Sequence, residues 1–215
     1  MTAVLCYGDS NTWGYEASTE ERLMRWDRWP GVLQRELGDD VHVIEEGQNG
    51  RTTVFDVPWE PHRNGLTYLP VALATHHPLD IVVIDLATND LFLPGVNAYH
   101  AAHGAMKLAE TVLASDAGPV GDSPAVLVLV PPPFAPLGGW DQGESPGAEA
   151  ESQRLSQAFV DAAAATHAED GIDIPLLDLR DHVTSSPVDG IHFEADGHRA
   201  IGVAVAERLR AMLVP

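Results

Sequence analysis

The chain has 215 residues, enough for one domain with a substantial core, and no apolar run long enough to cross a bilayer. Lys and Arg number 12 against 32 Asp and Glu; the resulting charge of -20 argues against nucleic acid and anionic membranes as partners and disfavours anionic substrates. The one cysteine precludes an intrachain disulfide, and Met1–Tyr7 has neither a basic n-region nor a long apolar h-region, which together point to the cytoplasm.

Strand-like and helix-like segments alternate along the chain. Ala3–Gly8 is apolar and ends on glycine, as a parallel strand buried on both faces does. Trp29, Leu33 and Leu37 recur every four residues behind Pro30, predicting a helix that Gly38 ends. Val41–Glu46 alternates as a second strand, and Leu66, Leu69 and Leu73 mark a helical stripe. Asp80–Ala87, rich in β-branched residues, is the strongest strand signal. Ala98–Ala114 reads as a helix, and Ala125–Val130 as a strand stopped by Pro131, Pro132 and Pro133. A Gly-, Pro- and acid-rich loop runs to about Pro146. A helix over Glu149–His167, a fifth strand over Ile172–Leu177 and a helix over Glu194–Leu213 complete the pattern. Five strands alternating with helices predict an α/β fold, a parallel sheet covered on both faces, within a single domain over 1–215.

In such a sheet, ligands sit beyond the carboxyl ends of the strands. The residues that follow those ends are Gly8-Asp9-Ser10-Asn11, Gly47-Gln48-Asn49-Gly50-Arg51, Thr88-Asn89-Asp90 and, before the last helix, Asp189-Gly190-Ile191-His192. A serine hydroxyl needs a base to act as a nucleophile, and the base needs an orienting acceptor. Ser10 is the candidate nucleophile and His192 the candidate base. Asp189, three residues earlier, can reach the imidazole in a tight loop. Donors for the oxyanion are available from the Ser10 and Gly50 backbone N–H groups and the Asn89 side chain.

These blocks, in this order, resemble those of the SGNH, or GDSL, hydrolases. LCYGDSNTWGY, VIEEGQNGRTT, NGLTYLP, LATHHPLD and VDGIHFEADGHR are similar more specifically to the small bacterial arylesterase/acyltransferase branch. The resemblance implies a flavodoxin-like three-layer α/β/α sandwich. It implies hydrolysis of short-acyl esters through an acyl-serine, with acyl transfer to alcohols as a second activity, and no cofactor. It assigns Ser10, Asp189 and His192 as the triad and Ser10, Gly50 and Asn89 as the oxyanion hole. By analogy it also implies a homo-oligomer, with 16–27 and 91–99 as contact or lid regions. Two departures stand out: Ala87 occupies the place of the family's usual glycine in the third block, and Asn11 that of a leucine or isoleucine after the serine.

Asp9 and Asp90 are expected to hydrogen-bond their loops, Arg51 to tie the second block to a nearby carboxylate, and Cys6 to be a small core residue. Asn11, Trp13 and Phe92 follow the blocks directly and are candidates for the substrate pocket; Tyr15, Trp26, Leu93 and Pro94 are further wall candidates, while Trp29 belongs to a core stripe. Trp140 is placed to cover the pocket or an interface. His76, His77, His100 and His103 lack metal-site spacing, so no metal is expected. The predicted partners are a small neutral ester and water or an alcohol. Rival readings are a carbohydrate acetylesterase of the same family, a non-catalytic flavodoxin-like binding module and a metal phosphodiesterase.

Overall fold

A computed structural model of the chain describes residues 1–137 and 147–213; Trp140 and most of the Gly/Pro-rich loop lie outside them. Five parallel strands, β1 (Thr2–Gly8), β2 (Val41–Gly47), β3 (Ile81–Asp85), β4 (Ala125–Val130) and β5 (Leu176–Asp178), pair in the order β2-β1-β3-β4-β5. The helices are α1 (Ser10–Trp13), α2 (Trp29–Leu37), α3 (Gly65–His76), α4 (Ala98–Leu113), α5 (Ala148–Ser152), α6 (Leu155–Asp170) and α7 (Ala195–Leu213).

Alternate side chains of each strand enter two cores, as the period of two requires. Leu5, Tyr7, Val82 and Ile84 join Leu69, Met106 and Phe159 from α3, α4 and α6 on one face. Val4, Cys6, Ile81 and Val83 join Trp29, Leu33, Ile201 and Val205 from α2 and α7 on the other. The parallel sheet covered on both faces that the alternation predicts, and the three-layer α/β/α arrangement that the resemblance implies, are therefore observed. Helices α2 and α7 approach closely at Gly202, where a Cβ would lie 2.6 Å from the Val32 side chain and 2.8 Å from the Trp29 carbonyl oxygen.

Several boundaries differ from the sequence pattern. Strand β3 is shorter than Asp80–Ala87, because Asp80 turns its carboxylate to accept from the Ala3 N–H at 2.8 Å and Ala87 turns to φ +108°. Strand β5 is confined to Leu176–Asp178: the preceding Pro175 has no N–H to give a ladder, although its carbonyl accepts from Val128. The helix expected over Glu149–His167 breaks into α5 and α6 at Gln153 and Arg154. There the buried Ser152 hydroxyl donates to the Glu149 carbonyl and accepts from the Phe134 N–H. The chain reverses between β1 and β3, so the ends of β1, β2 and β3 surround the switch point, where a crevice forms. No helix among the described residues is long and apolar enough to cross a membrane.

Candidate active site

Ser10 lies two residues beyond Gly8, the end of β1, and opens the four-residue turn α1. Asp9 caps that turn, its Oδ1 accepting from the Asn11 N–H at 2.9 Å, and this fixes the backbone around Ser10. The loop before α7 brings up the other partners. Asp189 Oδ1 accepts from the backbone N–H groups of Ile191 at 2.9 Å and His192 at 3.0 Å, so the loop folds around its own carboxylate. Its other oxygen, Oδ2, lies 2.6 Å from His192 Nδ1, which assigns the proton to Nδ1. His192 Nε2 is left as the acceptor, 2.9 Å from Ser10 Oγ. Burial pushes the Asp189 carboxyl up, but the hydrogen bonds from the His192 ring and the two backbone N–H groups outweigh it and hold the carboxyl below the usual range. The structure thus brings Ser10, His192 and Asp189 into one hydrogen-bonded line.

Gly50 and Asn89 face the same crevice. Gly50 has φ +73°, a left-handed conformation that glycine adopts without steric cost. Asn89 opens a 3-10 turn, Asn89–Phe92, after β3, and its Nδ2 donates to Asp9 Oδ2 at 3.2 Å and to the Arg51 carbonyl at 3.1 Å. The amide is thereby oriented, and an oxyanion reaching it would share those hydrogens. Ala87, at the position where the family resemblance leads one to expect glycine, holds φ +108°, a conformation that costs a residue with a Cβ of order 1–3 kcal/mol.

Beneath these groups lie three carboxyls. Burial, with the charge of Asp85 nearby, pushes the Asp9 carboxyl well up. Burial pushes Asp85 up to about 6 although it accepts from Thr12 Oγ1 at 2.8 Å and Trp29 Nε1 at 3.2 Å. Asp90 rises to about 7 while accepting from both the backbone N–H and the hydroxyl of Thr53. Asp9 and Asp90 thus bond the backbone and side chains of the loops around the crevice.

The expected carboxylate partner of Arg51 is not what the structure shows. Its buried guanidinium donates through Nη1 to the carbonyls of Gly8, at 2.8 Å, and Glu46, and lies 4.2 Å from the Tyr7 ring centroid. Arg51 therefore clamps the ends of β1 and β2 through their backbone. Cys6 is buried in strand β1, and burial pushes its thiol up. Among the described residues no group of three or more His, Cys, Asp or Glu is arranged to hold a metal ion; His100 and His103 both sit against the Tyr99 ring.

The crevice encloses about 540 Å³. Phe92, predicted to wall it, does so, as do Tyr15 and Leu93. Asn11 and Trp13 are not among the residues that line it. The cause is helical: each residue of α1 turns about 100° from the last, so Asn11 and Thr12 are carried into the interior while Ser10 faces the crevice. Trp13 is carried toward the end of β2 at Gly47 and takes the Arg22 guanidinium at 5.0 Å. Sequence reasoning missed Val57, Trp59 and Glu60, and Val188 and Ile191 near the histidine in the chain, all of which line the crevice. The Pro-Trp-Glu-Pro run at 58–61 was the available signal, a tryptophan between two loop prolines. Trp59 is 70% exposed.

The family model described as GDSL-like Lipase/Acylhydrolase family matches residues 6–200. The native aryl esterase of M. smegmatis is 38% identical with a TM-score of 0.90, over 99% of this chain and 100% of that one. Est24, a carbohydrate acetylesterase from Sinorhizobium meliloti, is 36% identical with a TM-score of 0.89, over 99% and 100%. A comparison with curated proteins gave no match.

Proposed function

The chain belongs to the GDSL-like lipase/acylhydrolase family, and on that premise we propose that residues 1–215 form a single serine esterase domain that cleaves small, short-acyl esters of aryl or alkyl alcohols. The observation that carries this reading is the line Ser10 Oγ, His192 Nε2, His192 Nδ1, Asp189 Oδ2, with gaps of 2.9 Å and 2.6 Å at its two hydrogen bonds. In the proposed reaction, Ser10 Oγ attacks the ester carbonyl as its proton passes to His192 Nε2. Asp189 keeps the imidazole in the correct tautomer and offsets its new charge. The carbonyl oxygen gains the electron pair and is held by the backbone N–H groups of Ser10 and Gly50 and by Asn89 Nδ2. Collapse of this intermediate breaks the C–O bond, and His192 returns the proton to the departing alcohol. Water repeats the sequence on the acyl-serine and releases the acid; an alcohol in its place completes an acyl transfer.

The lining supports a neutral substrate. Phe92, Val57 and Ile191 are apolar, Glu60 is paired with Arg63, and Glu20 adds negative charge to a protein already at -20. The reading includes a cytoplasmic setting and a homo-oligomer. The exposed Met24 and Trp26 support loop 16–27 as a contact region, and light scattering in solution tests it. Turnover of p-nitrophenyl acetate by the wild type, abolished in a folded Ser10→Ala variant, tests the chemistry. Full activity in that variant contradicts it.

One observation favours a second reading as a carbohydrate acetylesterase. Trp59 offers an exposed aromatic face at the crevice, next in sequence to Glu60, whose Oε2 accepts from Arg63 Nε at 3.0 Å; an aromatic face beside this charged pair is suited to stacking a sugar ring and hydrogen-bonding its hydroxyls. Relative rates on acetylated xylo-oligosaccharides and aryl acetates separate the two.

A further inference from the structure

The two in-line hydrogen bonds of His192 define a plane for the imidazole but leave its faces to other contacts. One face is covered. The Tyr15 ring lies 4.3 Å from the imidazole centroid, with the planes inclined by 37°. Its backbone is anchored from several directions. Both Gly14 N–H and Tyr15 N–H donate to the Ser10 carbonyl, at 2.9 Å and 3.0 Å. Tyr15 bridges Arg22 in antiparallel fashion, and Arg22 Nε donates to the Trp13 carbonyl at 2.7 Å. The residue whose ring lies tilted against the base is thus fastened to the backbone of the nucleophile.

We propose that Tyr15 is a positioning residue for His192, its ring face keeping the imidazole in the line between Asp189 and Ser10 and favouring the cation formed when the serine proton arrives. The proposal rests on the esterase reading above. The electron-rich face of an aromatic ring attracts a cation lying over it, and the gain grows when water is excluded. Burial, together with the charges of Glu20 and Asp189, pushes the Tyr15 phenol up from its ordinary value, so the ring is an uncharged phenol when the enzyme works at neutral pH.

Other groups near the imidazole are accounted for. On its own segment are Asp189 and Glu194, the latter accepting from the Ser186 hydroxyl. The loop after α1 contributes Glu20, and the crevice lining Glu60, which is paired with Arg63 Nε at 3.0 Å. The Asp9 carboxylate accepts from Asn11 and Asn89. Helix α7 contributes His198, which burial pushes down to about 3 and so keeps neutral. Substitutions at Tyr15 that keep an apolar cover leave all of these in place and vary only the ring face.

The test compares Tyr15→Leu and Tyr15→Phe with the wild type on p-nitrophenyl acetate, with full pH profiles. Tyr15→Leu is expected to lower kcat by about fivefold with KM little changed, and to move the acid limb of kcat/KM to lower pH by about half a unit. Tyr15→Phe, which restores the ring face, is expected to recover both. A Tyr15→Leu effect confined to KM would make Tyr15 a plain pocket wall and overturn the proposal, as would a Tyr15→Phe variant as impaired as Tyr15→Leu. Ser10→Ala run alongside separates the two readings: if it stays active the esterase reading fails, and if it is inactive while Tyr15→Leu keeps the wild-type kcat and profile, only the positioning role fails.

Discussion

His192 Nε2 and Ser10 Oγ, 182 residues apart in the chain, lie 2.9 Å apart at the carboxyl end of the sheet. Two separate elements bring them together: β1 delivers the serine, and the loop before α7, wrapped around Asp189, delivers the imidazole. His192→Ala is expected to lower kcat by about a hundred- to ten-thousand-fold, the usual worth of a general base. Asp189→Asn is expected to fall within a similar range, since an amide can hold the wrong tautomer. Steady-state rates on an aryl acetate check both, and a loss under threefold in either would remove that residue from the line.

The donor set makes a separate prediction. Asn89→Ala should lower kcat by about a hundred- to a thousand-fold if its amide serves the oxyanion as well as Asp9 and Arg51. Gly50→Ala should slow turnover and also destabilise by about 1 kcal/mol, because φ +73° disfavours a Cβ and that atom would come 3.2 Å from the Arg63 guanidinium. Kinetics and thermal melts on the two variants distinguish loss of a donor from loss of the loop.

Arg51 carries a stability prediction. Arg51→Lys keeps the charge but loses the planar group that reaches two carbonyls and lies over Tyr7. A loss of roughly 1–3 kcal/mol is expected in denaturant unfolding, from the weakened hold on the two strand ends; the Gly8 carbonyl keeps the Gln48 N–H at 3.1 Å.

The buried carboxyls set a pH dependence. Asp85 and Asp90 rise from 3.8 to about 6 and about 7 on folding. Between those limits the folded state binds more protons than the unfolded one, so stability falls as pH rises through this window. The burial cost is fully present above about pH 7 and is relieved as pH drops through 7 and then 6. Asp189, held below its ordinary range, acts oppositely, and only at more acid pH. The melting temperature should therefore be higher at pH 6 than at pH 8, and Asp90→Asn should flatten the difference.

The parts of the site legible in the sequence are those that terminate strands. Ser10 and Asn89 each follow an apolar run that announces a buried strand, Gly50 follows an alternating one, and Asp189 and His192 precede a long amphipathic helix, so the sheet topology gathers them. Asn11 and Trp13 follow Ser10 directly in the chain, but adjacency does not set direction, and one helical turn sends them elsewhere. Trp59 was missed because its loop carries no periodicity, and its position depends on how the chain returns from β2 to α3. The partner of Arg51 was misjudged because backbone carbonyls, unlike carboxylates, leave no mark in a sequence.

Trp59→Ala bears on the substrate. On acetylated xylo-oligosaccharides it is expected to raise KM by about five- to tenfold, from the loss of one aromatic stacking surface. An unchanged KM would argue against a sugar stacked on this face.

The most direct measurement is mass spectrometry of the protein after reaction with a fluorophosphonate, which captures a serine only where a base activates it and donors hold the resulting oxygen. The account predicts one adduct, on the peptide containing Ser10, formed far more slowly in His192→Ala. An unlabelled wild type, or an adduct carried by another residue, would contradict it.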